Sequence, residues 1–427
     1  MKLFFHRDKM EGMRMKVFFI MIGVGLCFNV AGQDANIGRE NIQFIDYPDF
    51  PEANSTWGDI GYNSVTDAVY IGVTNHKNKI GFYEYSVGDD KIRLKGFVNE
   101  MAHLRDFQWQ GKIHSKITTD PDGNVYFATD GGESREEFLM NHPHGYVGGF
   151  IMKWNPKEEK LTNLGMPMQY ESIKNIDVDP ETGKIYAVTY PQVHFVVFDP
   201  KTNELQDLGR LGSAHVPRIT FLDQWGNCYY LDWRQRLVKY EKSTRKLVFA
   251  KESLPAFSGT PGEVIITGVK SFTADHANGV IYLATYGAKV LAFYPQKTGI
   301  GKVKDLGALY DTQDVPLWKP YSSNMNLGTN GKLYYVLGGH GNYVKKDTTV
   351  MMELSPITKE KKIAMMFPTS ELSEVTGDGV RDKKGNLYFA GRKIRPKNED
   401  TPESLPSIND NVSIPFMIKF NPEKEIK

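Results

Sequence analysis

Along the chain, apolar and polar residues alternate with the period of two that marks half-buried strands, in short runs separated by turn residues. A larger unit recurs on top of this alternation. An apolar strand leads into a turn of the Asp-x-x-Gly kind, and an aromatic strand of the x-Tyr-x-x type follows. After a loop comes a strand that ends in an aromatic residue, often with Asp-Pro or Asn-Pro. The copies cover residues 60–85, 114–156, 173–200, 218–240, 269–295, 323–356 and 377–422.

Each copy occupies about 40 to 50 residues, the period of a four-stranded propeller blade rather than of a helical solenoid. The expected fold is therefore all-β, a seven-bladed β-propeller over residues 33–427. Turns such as Asp-Pro-Asp-Gly bend the chain between the first and second strands, with glycine taking the positive φ that other residues resist. Alternating residues such as Val125 and Phe127, or Ile185 and Ala187, pack one blade on the next. The ring closes if Ile42 to Asp46 pairs with the last blade after residues 416–420. A two-sheet sandwich or two domains fits a seven-fold recurrence poorly.

The first residues do not follow this pattern. Lys2, Arg7, Lys9, Arg14 and Lys16 precede an apolar stretch over residues 17–30, the form of a signal peptide spanning 1–32. The stretch is too short for a stable membrane span, so no span is expected after cleavage. An N-terminal anchor or a lipoprotein signal at Cys27 is the alternative. The expected location is the periplasm or the outer cell surface.

Composition narrows the chemistry. After the signal only Cys228 remains, so no disulfide can form within one chain. The formal charge of +1 provides no general field for nucleic acid or an anionic membrane.

In a propeller, the loops entering the inner strands and those joining second to third strands open on one face, while the first turns point to the other. The second-to-third loops carry His76, His144, Tyr190, Arg234, Tyr286, His340 and Arg392. The entrances carry Trp57, His114, Arg218, Asn324 and Asp378. These sets converge on one mouth. His114 also reads as a satisfied core histidine, His76 as a solvated loop residue beside Lys77 and Lys79, and Arg218 with Arg234 as structural partners of Asp232. The long insertion at 131–149 holds His142 and His144 over the mouth, where long loops bind ligands. Arginines there suit a carboxylate, which guanidinium forks match. No cofactor is required; bound calcium or zinc stays open, zinc through His215 near Cys228. His103, His194 and His276 read as structural or solvated.

The segments KIHSKITTDPDGNVYFATDGG, HPHGYVGGFIMKWNP and AVTYPQVHFVVFDP resemble propeller enzymes of Bacteroidetes polysaccharide utilisation systems. The resemblance is to the group acting on the L-rhamnose-α-1,4-D-glucuronate cap of arabinogalactan proteins, with ulvan lyases more distant. It implies a lyase that cleaves this linkage by β-elimination in a plant or algal acidic glycan containing rhamnose and uronic acid. It also implies a site in which His114 and His144 match the lyase histidines, while Tyr190 and Arg218 or Arg234 match by position in the blade. His76, Tyr286, His340 and Arg392 are the expected substrate contacts. The group includes α-L-rhamnosidases with a single histidine on the opposite face, where this chain offers Asn63 and His276. A glycan-binding propeller without catalysis is the third reading.

If the leader is removed as expected, mass analysis of protein from the native envelope will find a new N-terminus close to Gln33. Intact Met1 or Met15 in soluble cytoplasmic protein would contradict it.

Overall fold

In the computed structural model, the described residues are 37–58, 60–77, 79–131, 145–210, 219–255, 268–310, 322–338, 348–401, 403, 405, 407–408 and 410–423. Residues from Ile37 onward belong to one compact unit. The described residues form seven antiparallel sheets, and the fold is a seven-bladed β-propeller. Blade 1 consists of Gly61–Asn63, Ala68–Thr74, Ile80–Ser86 and Lys91–Phe97. The later blades have inner strands Thr118–Thr119, Ser172–Val178, Phe221–Leu222, Val269–Asp275, Asn326–Leu327 and Glu374–Arg381. The 1–32 leader lies outside the described residues. No helix among the described residues is long and apolar enough to cross a membrane.

The recurrent Asp-x-x-Gly turn has a specific cause. In blade 2, Asp120 Oδ1 accepts hydrogen bonds from the backbone N–H groups of Asp122 and Asn124, at 3.0 and 2.9 Å. Its Oδ2 accepts from the Asn124 side chain and the Tyr126 hydroxyl, at 2.8 and 3.0 Å. Asp223 holds Trp225, Asn227 and Tyr229 in the same way, and Asp382 holds Lys384, Asn386 and Tyr388. One carboxylate thus satisfies the turn's backbone donors and fixes the tyrosine of the second strand, which is why the two recur together. Gly123 completes the turn with φ of +85°, and a Cβ there would lie 2.9 Å from Val65 of blade 1.

Burial follows the blade interfaces. Seven separate apolar clusters fill the gaps between successive blades. Between blades 1 and 2, Tyr70, Phe82, Ile113, Phe127 and Trp154 pack together, with Phe82 and Phe127 stacked at 5.0 Å between ring centroids. Val125 and Phe127 face blade 1, and Ile185 and Ala187 face blade 2, as their alternation requires.

The seam forms between the segments that ring closure requires. Ile42–Asp46 pairs antiparallel with the last strand, from Ile42 opposite Phe420 to Asp46 opposite Phe416. A polar latch crosses to blade 1. Lys419 Nζ donates to Asp90 at 2.7 Å and to the Tyr85 hydroxyl at 2.8 Å, and Tyr85 in turn donates to Asp90.

The hydrogen bonds from Lys419 and Tyr85 hold the Asp90 carboxyl down at about 2. A lowered folded-state pKa contributes stability above the ordinary carboxylate range, which is lost as the pH falls through about 2. Asp90→Asn is therefore expected to melt below the wild type near neutral pH and to converge with it in strong acid, measured as melting temperature against pH. Parallel curves would show that the latch contributes nothing. Deleting Ile42–Asp46 should lower the melting temperature much further, because it exposes a whole strand edge.

Candidate functional site

The inner strand of blade 2 is interrupted near its start. Lys112 and Ile113 pair with Asp130 and Thr129, and Thr118 and Thr119 pair with Tyr126 and Val125. Residues 114–117 leave the ladder between these pieces. Ser115 Oγ fills the gap by accepting the Ala128 N–H at 2.7 Å. The step carries the largely buried His114 onto Trp57 of blade 1, with ring centroids 6.3 Å apart and planes within 20°. Gly58 makes this approach possible, since a Cβ there would stand 2.7 Å from the Ser115 carbonyl oxygen and 2.8 Å from that of Ile113.

His76 approaches the same tryptophan edge-on, at 5.3 Å between centroids. Its Nδ1 lies 2.6 Å from Asn54 Oδ1, and the Asn54 amide is oriented by donating to the Asn75 carbonyl at 3.2 Å. Nδ1 is thus the protonated nitrogen. Burial, with Lys112 and Arg392 nearby, pushes the imidazole down to about 3, so it is neutral across the physiological range. The reading of His76 as a solvated loop residue is therefore corrected. Its Nε2 is buried and has no hydrogen-bond partner among the described residues.

A buried ionic group extends the arc into blade 3. Asp130, at the end of the second strand of blade 2, accepts from Ser172 Oγ at 2.5 Å and from the Lys174 ammonium, with Lys112 Nζ at 3.9 Å. Burial opposes its ionisation, but the charges of Lys174 and Lys112 hold the carboxyl below its usual range. Each lysine also lies over an aromatic ring, Lys112 on Trp57 at 4.7 Å and Lys174 on Tyr190 at 5.0 Å. Tyr190 is opposite Ser172 in the blade 3 ladder. Further along the inner strands, Lys116 meets Asp177 at 2.5 Å and the Thr220 carbonyl at 3.0 Å, linking blades 2, 3 and 4.

The structure thus brings His76, His114 and Tyr190 onto one arc with Trp57, and sets Arg392 beside it in a pair with the buried Glu374. Arg234 does not join by any contact among the described residues. Its guanidinium rests on Trp233, and the side-chain partner of Asp232 is Arg236, with Nε at 2.9 Å. The expected ion pair with Asp232 is corrected accordingly. Tyr286 is buried on blade 5, its N–H bonded to the Gly268 carbonyl at 3.0 Å. His144, Arg218, His340, His142 and His215 lie outside the described residues.

Cys228 is enclosed by apolar side chains, and burial raises its thiol, which disfavours the thiolate that zinc requires. Among the described residues, no group of three or more His, Cys, Asp and Glu is placed to hold a metal ion. On the opposite face, Asn63 ties blades 1 and 2 by donating to the Gly123 carbonyl at 2.8 Å. A cavity of about 380 Å³ opens there between Asp120, Asp122, Asp179 and Glu181. Asp120 and Asp179 are both committed to their own turns.

Lys112, Lys174 and Asp130 are the residues that the reading by loops missed. The readable signal is at Lys174, a charge within a strand that is buried along its length. The strand Ser172–Val178 is buried throughout, and Lys174, Asn175 and Asp177 interrupt its apolar run.

No family model matches the chain, and no curated protein matches it. Solved structures match as folds. The Swd1 β-propeller domain from Myceliophteria thermophila superposes with a TM-score of 0.53 at 10% identity, covering 88% of this chain and 98% of that one. Virginiamycin B lyase from Staphylococcus aureus gives 0.52 at 10% identity, with 89% and 98% covered. The extracellular domain assigned to a one-component system of B. thetaiotaomicron gives 0.51 at 11% identity. It is matched over 82% of this chain but only 39% of its own length.

Removing one partner of a buried pair costs about 3–5 kcal/mol, against roughly 0–1 kcal/mol for an exposed pair. Asp130→Ala is therefore expected to destabilise the fold by about 3 kcal/mol or more in denaturant unfolding. Asp89→Ala, which breaks the exposed pair with Arg93, should change little. Equal effects would show that Asp130 is hydrated.

Proposed function

We propose that the chain is a polysaccharide lyase that cleaves the L-rhamnose-α-1,4-D-glucuronate linkage of acidic plant or algal glycans by β-elimination at the mouth. The observation that carries this reading is the arc itself. Two ammonium groups, each over an aromatic ring, flank one buried carboxylate beside His114 and Tyr190. Aromatic faces suit the C–H faces of a sugar, and ammonium groups suit its carboxylate.

Elimination needs three operations. The uronate carboxylate must be neutralised, which acidifies C5 by stabilising the enolate-like intermediate. Among the described residues Lys112 and Lys174 take this role, which the resemblance gives to an arginine. His114 then removes the C5 proton. The C5–H electrons form the C4–C5 double bond as the C4–O bond breaks, and Tyr190 protonates the departing oxygen, releasing rhamnose. His76 is not the base: at about 3 its imidazole is too weak to take a carbon-bound proton near neutral pH. His144 and Arg218 enter only through the resemblance. The exported reading accords with the leader pattern and with the extracellular domain among the similar folds.

On rhamnose-capped arabinogalactan, the reading expects ultraviolet absorbance from the conjugated unsaturated uronate to rise in step with free rhamnose. His114→Ala should lower the rate by about 10²-fold or more with the fold intact. Rhamnose without the chromophore would identify an α-L-rhamnosidase, and binding without release a glycan-binding propeller.

A further inference from the structure

We propose that Trp233 and Arg234 on blade 4 form an anchoring subsite for an acidic glycan chain, separate from the catalytic arc. The inference rests on the proposed function for the identity of the glycan, not for the existence of the subsite. Both residues sit in the loop between Cys228–Leu231 and Arg236–Glu241, a second-to-third connection of the kind that opens on the mouth face.

The loop is rigidly built. Asp232 Oδ1 accepts from the backbone N–H groups of Arg234 and Arg236, at 3.0 and 2.9 Å. Its Oδ2 is taken by the Arg236 guanidinium, through Nε at 2.9 Å and the terminal nitrogen at 2.7 Å. The N–H of Gln235 returns to the Asp232 carbonyl at 2.8 Å, and Ser253 Oγ on the outer strand donates to the Arg234 carbonyl at 2.7 Å. The Asp232 carboxylate is therefore fully engaged by its own turn and by Arg236. The Arg234 guanidinium lies 4.9 Å from the centre of the Trp233 ring and has no carboxylate partner among the described residues.

Trp233 is 54% exposed, while Trp109 and Trp154 are buried at 5% and 1%. An exposed indole alone carries no message, since single apolar residues are common on surfaces. Here it is preorganised beside an exposed guanidinium, and the pairing repeats next door. Arg236 lies over the ring of Phe249, itself 43% exposed, at 5.4 Å. Sugar C–H groups pack on such rings, and a guanidinium fork binds a carboxylate in two-point contact. A chain that carries uronate groups along a sugar backbone offers both surfaces at once. A neutral glycan would leave Arg234 unanswered, and a compact anion would leave Trp233 uncovered.

The test is affinity gel electrophoresis in rhamnose-capped arabinogalactan, in the same polymer with its uronates reduced to neutral sugars, and in polyphosphate, a polyanion without sugar rings. Wild-type protein should be retarded by the native polymer and much less by the reduced one. Trp233→Ala and Arg234→Ala should each weaken retardation about tenfold in apparent Kd, and Arg234→Lys should restore only part of it. Where turnover is measured, Trp233→Ala should raise KM on the polymer and leave kcat on the isolated rhamnosyl-glucuronate disaccharide unchanged. Unchanged retardation in both alanine variants, equal retardation by the reduced polymer, or polyphosphate binding as strong as that of the native polymer would overturn the subsite. Retardation that depends on Trp233 without any elimination would sink the lyase reading and leave the subsite standing. Elimination with unaltered KM in Trp233→Ala would do the reverse.

Discussion

Each blade of this protein has two apolar faces, and neither can be buried except against a neighbouring blade. Phe82 of blade 1 needs Phe127 of blade 2, Phe195 of blade 3 needs Tyr230 of blade 4, and Tyr334 of blade 6 needs Phe420 of blade 7. Burying one large aromatic side chain is worth roughly 1.5–3 kcal/mol, so an open ring would forfeit an entire interface of such contacts. Closure is consequently a condition of stability. The pairing of Ile42–Asp46 with the last strand meets it at the edge, and the cluster around Tyr83, Tyr85, Tyr388 and Met417 meets it in the core.

With the periphery held by apolar contact, the inner strands are free to carry charge. Desolvating Asp130, Lys174, Lys116 and Asp177 is unfavourable in itself, and well-packed apolar residues in their places would often be as stable or more so. Lys174 and Lys116 nevertheless lie over Tyr190 and Phe272, as Lys112 lies over Trp57, so the buried cations are held by aromatic faces as well as by carboxylates. His76 shows the same environment acting in the opposite direction, since the burial and cations around it remove its charge.

The fold was legible because its rule is local and repeated. An Asp, a Gly and a Tyr at fixed offsets describe one carboxylate-centred turn, seen in blades 2, 4 and 7, and the wider recurrence of strand, turn and aromatic strand gives the seven blades. The seam pairing followed from the need to close the ring without an exposed edge. The site was legible only in part. Topology brought His76, His114, Tyr190 and Trp57 together, but attention to loops passed over Lys112, Asp130 and Lys174, which stand at strand ends and on an inner strand. For Asp232 the sequence suggests Arg218 and Arg234 as partners, whereas the turn, with the left-handed backbone of Gln235, brings Arg236 to the carboxylate.

The last blade draws its four strands from both ends of the chain, with the first-made strand completing a sheet whose other members are made last. A growing polypeptide therefore cannot close its ring until the residues around Phe420 have emerged. Loop-closure entropy rises only slowly with chain length, so the wait adds little to the final free energy, but such distant pairing slows folding. The seam thus acts as a test of completeness. A prematurely ended chain keeps an unpaired sheet edge and an uncovered aromatic face, the features by which quality-control proteases and chaperones recognise unfinished proteins.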